Sequence, residues 1–217
     1  MIDLHTHTVF SDGVLIPAEL IRRAAFAGYK AVAITDHADP SNLDFILGRI
    51  RSLTEKYAAF LEIDVYPGVE LTHVPPALMG LLTAQARNEG AALVVAHGET
   101  VVEPVLLGTN LAAIEAGVDI LAHPGLITEQ DAALAAERGV YLEITTRKGH
   151  SLTNGHVAAM ARRFGAKLVI NNDAHAPGDF VSAELRRKVA LGAGLSLDEY
   201  HGAEANSVAL VQKMLRK

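Results

Sequence analysis

Seven short runs of apolar and β-branched residues recur along the chain, and each is followed by a longer stretch with helical spacing of its apolar positions. That alternation is the signature of parallel strands joined by crossover helices. The expected strands are Ile2–His5, Ala31–Thr35, Ile63–Pro67, Ala91–Ala96, Asp119–Ala122, Val140–Ile144 and Lys167–Asn171. The expected helices are Pro17–Ala27, Ser41–Phe60, Pro76–Asn88, Val105–Ala116, Glu129–Glu137 and Thr153–Phe164, with Phe180–Leu191 and Ala203–Leu215 after the last strand. Pro17 suits a first helical turn, where its missing N–H costs little. Gly28, Gly90, Gly117, Gly139 and Gly165 each follow a helical stretch, where a left-handed C-cap favours glycine. Dividing 217 residues among seven strands leaves about thirty per β/α unit, the compact rhythm of a barrel or a doubly wound sheet. No Gly-x-Gly-x-x-Gly turn and no Gly-Lys-Ser/Thr loop is present, which disfavours the nucleotide-binding α/β folds.

Half of the 217 residues are apolar, enough for one sizeable core, and nothing demands a second domain. A net charge of −6 without any basic block argues against a sequence-independent binder of nucleic acid. Cysteine is absent, so disulfides, thiolate metal sites and a cysteine nucleophile are all excluded. The first residues lead directly into patterned sequence, and no apolar run approaches bilayer length. A cytoplasmic protein with no membrane partner is expected.

The chain carries ten histidines, several beside acids. His5 and His7 end the first strand, and His37 follows the second in Thr35-Asp36-His37. Glu70 lies just past the third, His97 and His123 end the fourth and fifth, and Asp173 with His175 follows the seventh. All stand at carboxyl ends of strands, which in a parallel barrel share the face where active sites are built. His5 and His7, like Asp173 and His175, are spaced i and i+2, so an extended chain points both side chains the same way. Neutral imidazoles together with carboxylates suit Zn, Mn or Fe, and a carboxylate such as Glu70 can bridge two ions.

These residues resemble the polymerase-and-histidinol-phosphatase (PHP) domain family. The resemblance is carried by His5-Thr6-His7-Thr8 with Ser11-Asp12-Gly13, Thr35-Asp36-His37, Gly68-Val69-Glu70, His97, His123-Pro124 and Asp173-Ala174-His175, in order. It implies one PHP domain over residues 1–217: a distorted (β/α)7 barrel, with the last helix, about 203–215, packed on it. It also implies up to three divalent ions, Zn, Mn or Fe, with Mg admitted. His5, His7, Glu70 and Asp173 would hold the first. Glu70 would bridge to a second, completed by His97 and His123, and His37, His175 and Asp12 would hold the third. Asp12 could instead stabilise the Ser11-Asp12-Gly13 turn, and Asp36 could be a ligand or orient His37 or a neighbour.

The activity implied is hydrolysis of a small phosphomonoester (histidinol phosphate, a nucleotide or a sugar phosphate) by a hydroxide bridging the first two ions. Glu70 and Asp173 would be catalytic through the ions, with His73 a candidate general acid. Arg147 and Lys148, after the sixth strand, would meet the phosphate. His73, Glu99 and His150 lie at the same end with no fixed direction, and Glu143 would support the site from behind. His156, His201 and the paired basic residues Arg22-Arg23, Arg162-Arg163 and Arg186-Arg187-Lys188 read as solvated surface. The alternatives are a phosphodiesterase or 3′–5′ exonuclease on short oligonucleotides, the only nucleic acid this composition accommodates, and a non-catalytic module stabilised by metal.

Overall fold

The computed structural model describes residues 1–215. Its strands are β1 (Ile2–Asp3), β2 (Ala31–Ile34), β3 (His37–Ala38), β4 (Asp64–Leu71), β5 (Leu93–His97), β6 (Ile120–Ala122), β7 (Tyr141–Thr145) and β8 (Leu168–Asn171). Seven pair in parallel in the order β1-β2-β4-β5-β6-β7-β8, and the two-residue β3 adds to β4. The sheet curls into a nearly closed barrel, the distorted seven-stranded form that the family resemblance implied. Its irregularity is the seam between β8 and β1. There the backbone forms one isolated bridge, Thr6 to Ala174, and side chains supply much of the rest. Leu4 N donates to Asn171 Oδ1 at 2.9 Å, Asn172 N to Asp3 Oδ1 at 3.1 Å, and Asn172 Nδ2 to Asp3 Oδ2 at 2.7 Å.

Alternation along the strands separates two cores. Val32, Ile34, Val69, Leu71, Val94, Ala96, Leu121, Leu142, Ile144 and Ile170 face outward into a shell with the helices. Leu4, Ala31, Ala33, Tyr66, Leu93, Val95, Ile120, Ala122 and Val169 fill the barrel, joined by Leu210, Val211 and Met214 of the last helix. Following the inward positions toward the carboxyl ends leads from Tyr66 to Glu70, from Val95 to His97, and from Val169 to Asn171. Apolar residues fill the lower barrel and polar ones its mouth.

The helices are α1 (Pro17–Phe26), α2 (Leu43–Tyr57), α3 (Pro76–Asn88), α4 (Thr109–Ala116), α5 (Glu129–Arg138), α6 (Asn154–Phe164), α7 (Ala183–Gly192) and α8 (Leu197–Met214). The five glycines expected at helix ends all adopt positive φ, from 70° to 90°.

Four departures from expectation have physical causes. β4 runs through Pro67-Gly68 to Leu71, so Glu70 lies inside a strand rather than beyond it. Pro67 still accepts from Ala92 N at 2.8 Å, and a Cβ on Gly68 would meet Leu93 O and Thr35 Cγ2 at 2.9 Å, so the narrow barrel requires glycine there. α4 starts at Thr109 rather than Val105 because the Glu99 carboxylate accepts from Gly108 N and Asn110 N, both at 2.9 Å, and fixes the helix start. α8 begins at Leu197, not Ala203, because Ser196 and Glu199 form a capping box; His201 therefore lies on a helix, exposed as expected.

The fourth departure is Arg186, read as solvated but fully buried. Its guanidinium donates to Glu204 Oε1 at 2.6 Å, to Ile2 O at 2.9 Å and to Ile170 O, tying α7 and α8 to the strands on both sides of the seam. Arg186→Met should lower stability in urea denaturation by about 3–5 kcal/mol, since it strands Glu204 and two carbonyls, whereas Arg187→Met on the exposed side should change it by less than about 0.5 kcal/mol.

Candidate metal centre

The inward acids and the loops after the strands converge at the barrel mouth. His5, His7, Glu70, His97, His123 and Asp173 are all buried there. His37 reaches them because β3 aligns it with Glu70 across the β3–β4 pair. Three residues of the region hold left-handed backbone: His73 at φ 52°, His123 at φ 27° and Asp173 at φ 53°. Such non-glycine conformations each cost on the order of 1–3 kcal/mol and persist where surrounding structure enforces them.

The imidazoles follow one rule. His97 Nδ1 donates to Gly98 O at 3.1 Å and His175 Nδ1 to Asp173 O at 3.0 Å; a carbonyl only accepts, so Nδ1 carries the proton. His5 Nδ1 lies 2.8 Å from Glu143 Oε2, His37 Nδ1 2.7 Å from Thr72 Oγ1, and His150 Nδ1 2.8 Å from Thr100 Oγ1. Where Nδ1 carries the proton, as for His5, His97 and His175, a neutral ring presents an Nε2 lone pair; the hydroxyls beside His37 and His150 can donate or accept, and His37 Nδ1 also lies 2.7 Å from Glu70 Oε2. The Nε2 of each of the five rings faces a carboxylate. His5 Nε2 is 3.2 Å from Glu70 Oε1, and His37 and His175 Nε2 are 3.4 and 3.0 Å from Asp12 Oδ1. His97 and His150 Nε2 are 3.2 and 3.3 Å from the two oxygens of Glu103. His7 Nε2 lies 3.1 Å from Asp173 Oδ1.

Lone pair against carboxylate is repulsive unless a proton or a metal cation lies between. Buried His5 Nε2, both His7 ring nitrogens, His123 Nδ1, Glu70 Oε1 and Asp173 Oδ1 have no hydrogen-bond partner. The donor set fits divalent ions: ligand atoms approach within 4.8 Å of one another in four groups. These are His7 with Asp12, His37 and His175; His97 with His123 and His150; His5 with His123 and Asp173; and His5 with His7 and Glu70.

Charge supports the same fit. Burial would raise Glu70, but His5 and His37 outweigh it and hold the carboxyl well below its usual range. Asp173 behaves alike, burial being overcome by His5 and His7. Burial, assisted by His37, pulls His7 down to about 3, and burial with His97 holds His123 well below an ordinary imidazole. Burial also opposes a charge on His37, yet Glu70 and Asp12 raise it to about 10. Burial likewise opposes a charge on His5 and His97, yet Glu143 with Glu70 raises the first and Glu103 raises the second, so protons on these rings and on His37 answer part of the carboxylate charge, while His7 and His123 stay neutral and open to a cation.

The nine residues that the sequence reading assigned to metal all reach this mouth. Glu70 pairs with His5, His7, His37 and His123, whereas His97 turns toward Glu103. The Ser11-Asp12-Gly13 turn is held by Thr8 O and by Ser11 Oγ donating to Asp36 at 2.6 Å, which leaves the Asp12 carboxylate free to face His37 and His175. Asp36 also accepts from Thr8 N and Oγ1, each at 2.7 Å, so it orients a neighbouring loop. Glu143 stands behind His5, as expected. Glu99 does not reach the site, because it caps α4. His156 is half-buried, its Nε2 2.8 Å from Ile127 O. His73 lies on the rim, 3.6 Å from Glu103. Arg147 Nη1 donates to Asp173 O at 3.3 Å, and with Lys148 it lines an adjoining pocket of about 430 Å³. Glu103 escaped the sequence reading, since a single acid in a long loop has no pattern; its position on the loop after β5, at the metal-bearing end, was the available signal. His150 was noted there without a direction.

Comparison with known proteins places the chain in a family and a fold. The PHP domain family profile matches residues 3–99. An uncharacterised protein of Methanocaldococcus jannaschii is 51% identical over 199 residues, covering 91% of each chain. A protein of Thermoanaerobacter sp. named as a probable phosphatase is 26% identical over 220 residues, covering 91% of this chain and 88% of its own. The crystal structure of Aspergillus niger ochratoxinase superposes with a TM-score of 0.66 at 13% identity, covering 96% of this chain and 70% of that one, a likeness of fold. No helix among the described residues is long and apolar enough to cross a membrane.

Protein purified without chelator should contain more than one equivalent of divalent metal by elemental analysis, and chelation should lower its melting temperature, since ions bound only to the folded state stabilise it. Glu143→Gln, which weakens the hold on His5 without removing a ligand, should reduce metal affinity about 10- to 100-fold in a chelator-competition titration.

Proposed function

The chain belongs to the PHP domain family, and on that premise we propose that it hydrolyses a small phosphomonoester, of the histidinol phosphate, nucleotide or sugar phosphate kind, using divalent ions at the barrel mouth. The protein is a metal-dependent phosphoesterase, an enzyme of the hydrolase class. The observation that carries this reading is the set of imidazoles at the barrel mouth with Nε2 aimed at the carboxylates of Glu70, Asp12, Glu103 and Asp173. The name of the Thermoanaerobacter relative, a phosphatase, supports the same reaction class.

His5, His7, Glu70 and Asp173 are the ligands proposed for one ion. Glu70, His97 and His123 serve a second, and His37, His175 and Asp12 a third, with Zn, Mn or Fe as the metals that this donor set favours. Bound there, such ions supply Lewis acidity toward phosphoryl oxygens and toward an attacking water. The chain's own residues do the rest. Glu143 fixes the tautomer of His5, and the carbonyls of Gly98 and Asp173 fix those of His97 and His175. Arg147 extends from Asp173 to Asp179, 3.6 Å from a carboxylate oxygen of each, so its guanidinium joins the cluster to the pocket that it lines with Lys148, Thr146 and Asn172. It takes a phosphate oxygen there, with Lys148 as a second cation at the pocket edge. His73, half-exposed on the rim, is the proposed proton donor to the leaving oxygen. The whole chain is proposed to act as one domain, because α8 fills the base of the same barrel whose mouth holds the site.

A panel of phosphorylated metabolites assayed separately with Mn and Zn should reveal phosphomonoester turnover, which Glu70→Gln should reduce by orders of magnitude while the circular dichroism spectrum stays that of the parent. Faster release of mononucleotides from a short oligonucleotide would transfer the assignment to a phosphodiesterase, and no turnover with metal bound would leave a non-catalytic module.

Arg147→Ala separates recognition from metal chemistry. Loss of a charged hydrogen bond should lower kcat/KM by about 10- to 100-fold, through KM if Arg147 grips ground and transition state alike and through kcat if it meets developing charge. Metal content should be unchanged. Parent-like kinetics would remove Arg147 from the substrate contacts.

A further inference from the structure

We propose that Glu103, together with His150, completes the coordination of the ion held by His97 and His123. The inference rests on the metal centre proposed above and extends it to two residues outside the nine assigned from the family motifs.

His150 is buried, stacks on His123 with ring centroids 4.1 Å apart and planes at 15°, and offers a ligand atom within 4.8 Å of those of His97 and His123. The Thr100 hydroxyl occupies its Nδ1 and Gly98 O occupies Nδ1 of His97. Both rings therefore turn Nε2 toward one carboxylate, His97 at 3.2 Å from Glu103 Oε2 and His150 at 3.3 Å from Oε1. Ligands about 2.0–2.2 Å from a zinc-sized ion lie about 2.8–3.6 Å from one another along the edges of an octahedron or a tetrahedron. Both separations fall in that range, as does His175 to Asp12 at 3.0 Å. His73, 3.6 Å from Glu103, is exposed on the rim, unlike buried His97 and His150, and stands as an outer neighbour. A buried ring nitrogen of His123, Nδ1, also lacks any partner.

The loop bearing Glu103 is built to hold it there. A Cβ on Gly98 would lie 2.3 Å from Ala122 O, and one on Gly125 1.8 Å from Glu99 O, so the loops after β5 and β6 press together where only glycine fits. Asn110 clamps both, accepting from Glu99 N at 3.0 Å and donating to Pro124 O at 2.9 Å. One divalent ion would satisfy both Nε2 atoms and the carboxylate at once, whereas His97, its Nδ1 proton committed to Gly98 O, could meet Glu103 through a proton only as a charged ring.

The test is metal binding, read independently of turnover. The parent, Glu103→Gln, Glu103→Asp and His150→Gln are loaded with zinc, passed over a desalting column, and compared by elemental analysis and chelator competition. Far-ultraviolet circular dichroism of each metal-free protein verifies folding. Glu103→Gln and His150→Gln should each weaken one ion by at least about tenfold and elute with about one equivalent fewer, with partial recovery in Glu103→Asp. Parent-like affinity and stoichiometry in both Gln variants would overturn the proposal, because a carboxylate that only pairs with protonated rings leaves metal affinity unchanged. A parent that binds no zinc would overturn the metal centre with it. A parent that binds zinc yet hydrolyses no phosphate ester would overturn the functional reading alone.

Discussion

Imidazole Nε2 atoms and carboxylates stand about 3 Å apart at the mouth of this barrel, and that arrangement is tenable only with a proton or a metal cation between them. Much of the upper half of the protein is organised to hold it. Most of the tethered rings hold Nδ1 on a scaffold partner: a carbonyl of the same loop for His97 and His175, a hydroxyl for His150, and Glu143 for His5, whereas Nδ1 of His37 lies between Thr72 and Glu70. Glu143 is itself steadied by Asn171, whose amide donates to it at 2.9 Å. The same Asn171 accepts from Leu4 N across the barrel seam, so one side chain serves both the closure of the sheet and the tautomer of a ring at the site.

Below the mouth the demands are the reverse. Small inward residues such as Ala31, Ala33 and Ala122 keep the barrel narrow, and α8 fills its base with Leu210, Val211 and Met214. Arg186 is an ion buried at the seam, and its cost is offset by three acceptors that would otherwise lack a donor. This dense lower half makes the strained backbone above affordable, since Asp173, His123 and His73 each keep a left-handed φ at a loop the barrel anchors.

The strands and most helices were legible because alternation and glycine caps are local signals. Ranges erred where a long-range contact decided them. Glu99 set the start of α4, and a narrow barrel admitted Pro67-Gly68 into β4. The site was legible to the extent that its residues sit at strand ends or in short motifs: His5, His7, His97, His123, Asp173 and His175 needed only the strand map. Glu103 and the direction of His150 depend on how two glycine-tight loops fold over one another, and no spacing in the sequence encodes that. Arg186 was misread for a related reason, because a helical arginine beside Arg187 and Lys188 looks solvated until Glu204 is known to face it.

The seam between β1 and β8 joins residues that are distant along the chain; Asp3 and Asn172 are 169 positions apart. It is a join of side chains and one backbone bridge, without a ladder. His5 and His7 lie on one side of it, Asp173 and His175 on the other, and any ion shared between the two sides acts as a removable cross-link between the two ends of the sheet. Closing a loop of that length costs an unfolded chain about 5 kcal/mol of conformational entropy, and such a clasp would reduce that freedom as a disulfide does in chains that have cysteine. In a protein without a single cysteine, metal supply would govern how long the barrel stays shut as well as what it catalyses.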